Sequence, residues 1–135
     1  MIRLVLASKS PRRRELLSNA GIEFIVRTAD VEEVRRSGEP PQEYVRRLAR
    51  SKARAVTAEP GEVVLGADTV VVLDDHVLEK PEGAEDAARM LRLLSGREHV
   101  VVTGICLRSG EREAVDAETT SVRFVELSGR EIEEY

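Results

Sequence analysis

The amino-acid sequence predicts an α/β domain in which helices flank a mixed β-sheet. Over the first two thirds of the chain, short runs rich in Val, Ile and Leu alternate with segments whose apolar residues recur at helical spacing. Two long Val-rich runs follow with only turn residues between them, which is typical of antiparallel strands. With 135 residues, 41% of them apolar, the chain is expected to form a single domain with its own core.

The first three elements are a strand, a helix and a strand. Residues 2–7 (IRLVLA) predict the first strand. Ser10 followed by Pro11 is a helix start signal, because a capping residue stands before a proline at the first helical position. This helix is expected to end at Gly21, and residues 23–29 (EFIVRTA) predict the second strand.

The later elements are predicted from the same two signals, the periodicity of apolar residues and the positions of turn residues. A helix is expected from about Pro41 to about Glu59. The remaining predictions are a hairpin over 62–79 that turns at Asp74-Asp75, a helix over 83–95, and two strands within 98–125 that turn at Ser109-Gly110.

The last residues carry one more start signal. Ser128 and Glu131 match the S-x-x-E capping box, so a helix is expected to begin there. Two interpretations remain open, a short docking helix and an element that continues beyond residue 135.

Composition restricts the function classes. No apolar run approaches the ~20 residues that cross a bilayer, so a membrane partner is not expected. The single cysteine, Cys106, excludes an internal disulfide, suits a reducing cytoplasm and is expected to be a small core residue. Aromatic residues make up 3% of an acidic chain, so nucleic-acid binding is not favoured.

Asp68 is the most informative single residue, because it interrupts the apolar stretch VVLGADTVVVL (63–73). A buried, unpaired carboxylate costs several kcal/mol. Several N–H groups or a cation are needed to hold it, so Asp68 is expected to be functional.

Lys52 lies on the apolar stripe of the second predicted helix. Its side chain can either extend to solvent beside the stripe or point into a polar cleft. The chain uses arginine almost throughout and has only three lysines, Lys9, Lys52 and Lys80, which favours a phosphate-facing role for two of them.

Two further groups of charges allow both a functional and an ordinary interpretation. Arg12 and Arg13 lie in the first turn of the first helix, where positive charge opposes the helix dipole but can meet an anion. Solvated arginines near Glu15 are the alternative. Glu32 and Glu33 are either metal ligands in a loop or a solvated acidic turn.

Taken together, a series of blocks resembles the Maf family of nucleoside triphosphate pyrophosphatases. The blocks, in chain order, are LASKSPRRRELL (6–17), VEE (31–33), YVRRLARSKA (44–53), GADTVV (66–71), EKP (79–81), AARMLRLLSGREHVVVTG (87–104) and the TTSVRF strand. The resemblance implies a Maf/ITPase-like α/β fold with a long mixed sheet and a deep cleft, often in a homodimer.

The resemblance also implies an activity, hydrolysis between the α and β phosphates of a nucleotide with a divalent cation, Mg²⁺ or Mn²⁺. By motif position, Asp68 matches the catalytic aspartate that accepts a proton, and Glu33 matches an acidic residue at the metal or active site. We further expect Glu33 and Asp68 to hold the cation together with phosphate oxygens and waters. The polar and basic cleft residues of the family are matched by Ser8, Arg12, Arg13, Lys52 and Lys80.

The motifs SPRR and ADT resemble the branch that acts on dTTP and UTP, so Arg12 and Thr69 are expected to carry the substrate preference. Modified nucleotides are further candidate substrates, and regulatory nucleotide binding in cell-division arrest is the alternative function. Family members continue through a segment like DKAGAYGIQG, so residues 1–135 are expected to be a single domain that lacks the C-terminal part of the family fold.

Overall fold

The computed structural model of the protein describes residues 3–74, 76–78 and 83–123. The helices and strands, in chain order, are β1 (Arg3–Leu6), α1 (Pro11–Asn19), β2 (Phe24–Val26), α2 (Pro41–Ala55), β3 (Glu62–Leu73), β4 (His76–Leu78), α3 (Ala84–Leu94), β5 (Glu98–Ser109) and β6 (Arg112–Arg123). The predicted order of elements is therefore confirmed. The helix expected at Ser128 and Glu131 lies outside the described residues.

The strands form a mixed sheet in the order β2-β1-β3-β5-β6, with β4 paired to β3. Strand β1 is parallel to both β2 and β3, whereas β3 and β4 are antiparallel. The hairpin predicted over 62–79 is confirmed by the pairing of Leu73 with His76. The expected mixed α/β fold class is confirmed.

The described residues fall into two compact units. The first comprises residues 3–68 and 103–118, and the second comprises the described residues of 69–102 and 119–123. The core of the first unit lies between α2 and the sheet, and its buried members are Val5, Ala7, Ala49, Ala53, Val56, Val64 and Cys106. The expected core position of Cys106 is confirmed. The second unit has its own cluster of Leu73, Leu78 and Leu94.

Helix α2 ends at Ala55, four residues before the predicted end. Val56 adopts an extended conformation, with ψ of 146°, and is buried in the core cluster. The guanidinium of Arg108 donates to the carbonyl oxygens of Ala53, at 3.1 Å, and Val56, at 2.7 Å. Burial of Val56 and capping by Arg108 therefore fix the end of this helix.

One other bound differs from the sequence prediction, and one helix is less buried than the rest. Strand β2 ends at Val26 rather than Ala29. The backbone N–H of Arg27 still donates to the carbonyl oxygen of Leu6 in β1, and its guanidinium forms a bidentate ion pair with the buried carboxylate of Glu62. Helix α1 contributes no buried residue, and 63% of Leu16 is exposed.

Candidate active site

Asp68 lies on β3 in the first unit and is buried, with 12% of its side chain exposed. Gly66, two residues earlier, allows α2 to approach this strand closely. A Cβ atom at position 66 would lie 2.2 Å from the carbonyl oxygen of Ala49 and 2.8 Å from the amide nitrogen of Ala53. The glycine therefore brings the last turns of α2 within reach of the carboxylate.

Lys52 occupies that part of α2, and its ammonium group contacts two carboxylates. Its Nζ atom lies 2.9 Å from Asp68 Oδ1 and 2.7 Å from Glu33 Oε1. It also donates to the carbonyl oxygen of Ala67 at 3.3 Å. Of the two interpretations of this lysine, the structure supports the inward one, since 18% of the side chain is exposed.

Ser8 and Arg13 form a second polar pair in the same unit. Ser8 follows the end of β1 and is buried, with 5% exposed. Its hydroxyl oxygen accepts one hydrogen bond from Arg13 Nη1 at 3.1 Å and one from the backbone N–H of Ser10 at 3.2 Å. The serine thus orients the guanidinium of Arg13 at the start of α1.

Burial and charge act in opposite directions on the ionisable groups of the site. Burial raises the pKa of Asp68 above its ordinary value, and the charge and hydrogen bond of Lys52 oppose that rise. Burial also lowers the pKa of Arg13, while the carboxylates of Asp68 and Glu33 favour its charged form. These charge effects indicate that Arg13, Asp68 and Glu33 belong to one electrostatic neighbourhood.

Glu33 lies in the irregular segment between β2 and α2, with 46% of its side chain exposed. Two residues of α2 hold the backbone around it. Tyr44 donates its hydroxyl proton to the carbonyl oxygen of Glu33 at 3.3 Å. Arg47 donates to the carbonyl oxygen of Val34 at 2.8 Å.

Sequence reasoning missed these two backbone contacts. Tyr44 is one of only two tyrosines in a chain with 3% aromatic residues, which is the signal that could have indicated a special role. The contacts of Arg47 could not be found in the same way, because arginine is abundant in this chain.

The remaining predicted site residues are placed as follows. Arg12 and Glu32 are exposed, Arg12 in the first turn of α1. Thr69 is also exposed and follows Asp68 on β3, where neighbouring side chains point to opposite faces. Lys80 lies outside the described residues.

The described residues contain no cluster of three or more His, Cys, Asp or Glu side chains placed to hold a metal ion. Asp68 and Glu33, which meet at Lys52, are a smaller set of hard oxygen ligands. Over the same part of the chain, no helix has the length and apolar character needed to cross a membrane.

Comparisons with known proteins give consistent family matches. The sequence profile of the Maf family, described as Maf-like protein, matches residues 3–135. The dTTP/UTP pyrophosphatase of Koribacter versatilis is 55% identical over 98% of this chain and 69% of its own length. The dTTP/UTP pyrophosphatase of Vibrio parahaemolyticus is 50% identical over 98% of this chain and 71% of its own length.

Solved structures extend the similarity at the level of fold. The Staphylococcus aureus Ham1 protein has a TM-score of 0.55 at 18% identity, covering 88% of this chain and 70% of that chain. A HAM1 protein from Coxiella burnetii has a TM-score of 0.52 at 20% identity, covering 90% of this chain and 72% of that chain.

Proposed function

The chain belongs to the Maf family, and on that premise we propose that it is a nucleoside triphosphate pyrophosphatase that hydrolyses dTTP and UTP. The observation that carries the proposal is the meeting of Asp68 and Glu33 at the ammonium group of Lys52. The names of the curated relatives support the substrate assignment. Modified nucleotides are further candidate substrates.

In the proposed reaction, Asp68 acts as the general base. It accepts a proton from water while the water oxygen bonds to the α-phosphorus. The bond from that phosphorus to the bridging oxygen breaks, and its electron pair leaves with pyrophosphate. The raised pKa of Asp68 suits this role, because a base whose pKa is closer to neutrality accepts a proton more readily.

Cationic side chains then stabilise the charge that develops on the leaving pyrophosphate. Lys52 and Arg13 are the two cationic residues whose positions support this role. Lys52 Nζ lies 2.9 Å from Asp68 Oδ1, and the charge of Arg13 interacts with the Asp68 carboxylate. Ser8 orients Arg13 through the hydrogen bond at 3.1 Å. Arg12 and Lys80 are assigned to phosphate binding from the family motif.

The proposal includes a divalent cation, Mg²⁺ or Mn²⁺, with Glu33 and Asp68 as its protein ligands. Both carboxylates contact the same ammonium group, so their oxygens lie close to one another. Proteins often bind Mg²⁺ through one or two carboxylates together with substrate phosphates and waters, so this pair fits. When bound, the cation would neutralise charge on the triphosphate.

We assign the preference for dTTP and UTP to Arg12 and Thr69, which match the motifs of that branch of the family. Both side chains are exposed and accessible to a ligand. The proposal further places the enzyme in the cytoplasm, as a single domain that forms a homodimer. The single, buried thiol of Cys106 is compatible with a reducing compartment.

The proposed base is tested with Asp68→Asn by measuring pyrophosphate release from dTTP and UTP with Mg²⁺. The variant keeps the size of the side chain and removes the proton acceptor, so turnover should fall by about 100-fold or more. Asp116→Asn, the same change at an exposed position of β6, should keep the activity of the native protein.

Folding of Asp68→Asn is checked by a cooperative thermal transition and by a circular dichroism spectrum like that of the native protein. Two effects on its stability oppose each other, because the neutral amide removes the cost of burying the Asp68 charge but also removes a partner of Lys52 Nζ at 2.9 Å. An equally active Asp68→Asn protein would contradict the base assignment. Nucleotide binding by the native protein without pyrophosphate release would instead support regulatory nucleotide binding.

A further inference from the structure

The segment between β2 and α2 carries Glu33 but has little apolar anchorage. None of residues 28–40 is buried, and 59% of Val34 is exposed. A segment of this kind is usually among the least stable parts of a fold. Nevertheless, the Glu33 carboxylate is held 2.7 Å from the ammonium nitrogen of Lys52.

Polar contacts from α2 replace the missing apolar anchorage. Arg47 forms a bidentate pair with the carboxylate of Glu39, with N–O distances of 2.8 and 2.9 Å. The same guanidinium donates to the carbonyl oxygen of Val34 at 2.8 Å. It also lies over the ring of Tyr44, 5.5 Å from the centroid, and the hydroxyl of Tyr44 contacts the carbonyl oxygen of Glu33.

The groups that hold the segment are themselves restricted in position. Tyr44 is 1% exposed, so its ring is fixed in the core of the first unit. The Glu39 carboxylate also accepts from the backbone N–H of Arg36 at 3.1 Å, which closes the turn before α2. Helix α2 therefore carries both the partner of the Glu33 side chain, Lys52, and the partners of the backbone at Glu33 and Val34.

We propose that Tyr44, Arg47 and Glu39 form a positioning clamp that sets the segment 31–39 and thereby places the Glu33 carboxylate for the reaction. None of the three residues contacts the reacting atoms, and each acts through Glu33. The role in turnover rests on the proposed function, whereas the hold on the segment does not. Removing such a supporting contact typically lowers activity or metal affinity by about 10- to 100-fold.

The hold on the segment is measured by hydrogen–deuterium exchange of the nucleotide-free protein. Arg47→Gln removes the bidentate pair and the bond to Val34, and Tyr44→Phe removes one hydroxyl while keeping the buried ring. Both variants should lose amide protection within residues 31–39, measured above all at Arg36 and Glu39, whose N–H groups donate to the Glu39 carboxylate and to the carbonyl oxygen of Arg36. Arg46→Gln, at the adjacent exposed position of α2, is the matched control and should leave this protection unchanged.

The action through Glu33 is measured by a double-mutant cycle on pyrophosphate release with Mg²⁺ and dTTP. In the native background, Arg47→Gln should reduce turnover by about 10- to 100-fold. In the Glu33→Gln background, the same change should cost less than about twofold, because two residues that act as one unit are not additive. The Mg²⁺ concentration that gives half-maximal turnover should rise in Arg47→Gln but not in Arg46→Gln.

The outcomes separate the two proposals. Unchanged protection of residues 31–39 in both Arg47→Gln and Tyr44→Phe would overturn the clamp, whatever the activity. Full additivity of Arg47→Gln with Glu33→Gln would also overturn it, because the effect would then not pass through Glu33. A native protein that releases no pyrophosphate would contradict the proposed function alone, and the exchange measurement would still decide on the clamp.

Discussion

At the scale of single residues, one ammonium group offsets part of the cost of burying Asp68 and also holds the carboxylate of Glu33. Lys52 reaches Asp68 at 2.9 Å and Glu33 at 2.7 Å, yet the pKa of Asp68 remains raised because burial is the larger effect. The ion pair with Lys52 therefore holds Asp68 in place, while the raised pKa keeps its carboxylate able to accept a proton. Glu39 shows the opposite balance, since its hydrogen bonds with Arg47 lower its pKa to about 2.

The lowered pKa of Glu39 predicts a pH-dependent contribution to stability. A carboxylate with a pKa of about 2 when folded and 4.5 ordinarily stabilises the fold above pH 4.5, and this contribution is lost as the pH falls towards 2. Glu39→Gln should lower the free energy of unfolding by about 1 to 2 kcal/mol at pH 7 and by less than about half of that at pH 3. Urea denaturation at the two pH values measures both numbers.

Glu23→Gln, at an exposed position before β2, is the control for this measurement. It should change the free energy of unfolding by less than about 0.5 kcal/mol. A loss in Glu39→Gln that is as large at pH 3 as at pH 7 would show that packing, and not the ion pair with Arg47, is responsible.

At the scale of elements, two glycines determine how α2 lies on the sheet. Gly66 of β3 faces the backbone of α2 at Ala49 and Ala53, and a Cβ at Gly104 of β5 would lie 2.4 Å from the carbonyl oxygen of Val45. The helix therefore contacts the sheet backbone to backbone along its length. This close contact, rather than the length of the lysine side chain alone, brings Lys52 to Asp68.

Gly66→Ala should consequently impair stability and activity together. The added methyl group meets backbone atoms that cannot move independently, so α2 must shift away from β3. We expect a loss of about 1 to 3 kcal/mol in the free energy of unfolding and a clear fall in pyrophosphate release. Thermal denaturation and turnover of the folded protein measure the two effects.

Gly110→Ala provides the comparison. Position 110 has a φ of 60° and open space around it, so alanine strains the β5–β6 turn without displacing α2. Stability should fall while turnover stays near the native value. Equal turnover in Gly66→Ala and the native protein would show that the approach of α2 does not set the position of Lys52.

Element order followed from the sequence because periodicity and turn residues are local signals. Ser10-Pro11 and Gly21 gave the limits of α1 to within two residues. The early end of α2 could not be predicted, because it depends on Arg108, which lies 52 residues beyond Val56 in the chain. The inward position of Lys52 was one of two options that the sequence left open. The contacts of Arg47 with a loop backbone have no sequence pattern, and Tyr44 is marked only by the scarcity of tyrosine.

At the scale of the whole molecule, charge is unevenly distributed along the chain. Residues 1–54 contain 13 of the 21 Lys and Arg residues and 7 of the 25 Asp and Glu residues, which leaves them with a net charge of +6. The remaining residues carry −10. Four of the five proposed phosphate-binding residues, Ser8, Arg12, Arg13 and Lys52, belong to the basic part, where the local field attracts an anionic substrate, and the fifth, Lys80, does not.

Substrate capture should therefore depend on ionic strength. Salt screens exposed charges over about 10 Å at 0.1 M, so the KM for dTTP should rise severalfold between low and moderate salt. The kcat should change little, because the contacts between Asp68, Lys52 and Glu33 are short and partly buried. Steady-state kinetics in NaCl, repeated in potassium acetate at equal ionic strength, measure this; a KM independent of salt would contradict it.

The composition of the chain gives the buried tyrosine of the clamp a practical value. There is no tryptophan, and Tyr44 and Tyr135 are the only tyrosines. A Tyr135→Phe protein thus has a single tyrosine and no tryptophan. The hydroxyl of this tyrosine contacts the carbonyl oxygen of Glu33, and its ring lies under Arg47. Its emission can follow movements of the Glu33 segment in real time, in unlabelled protein and in the absence of turnover.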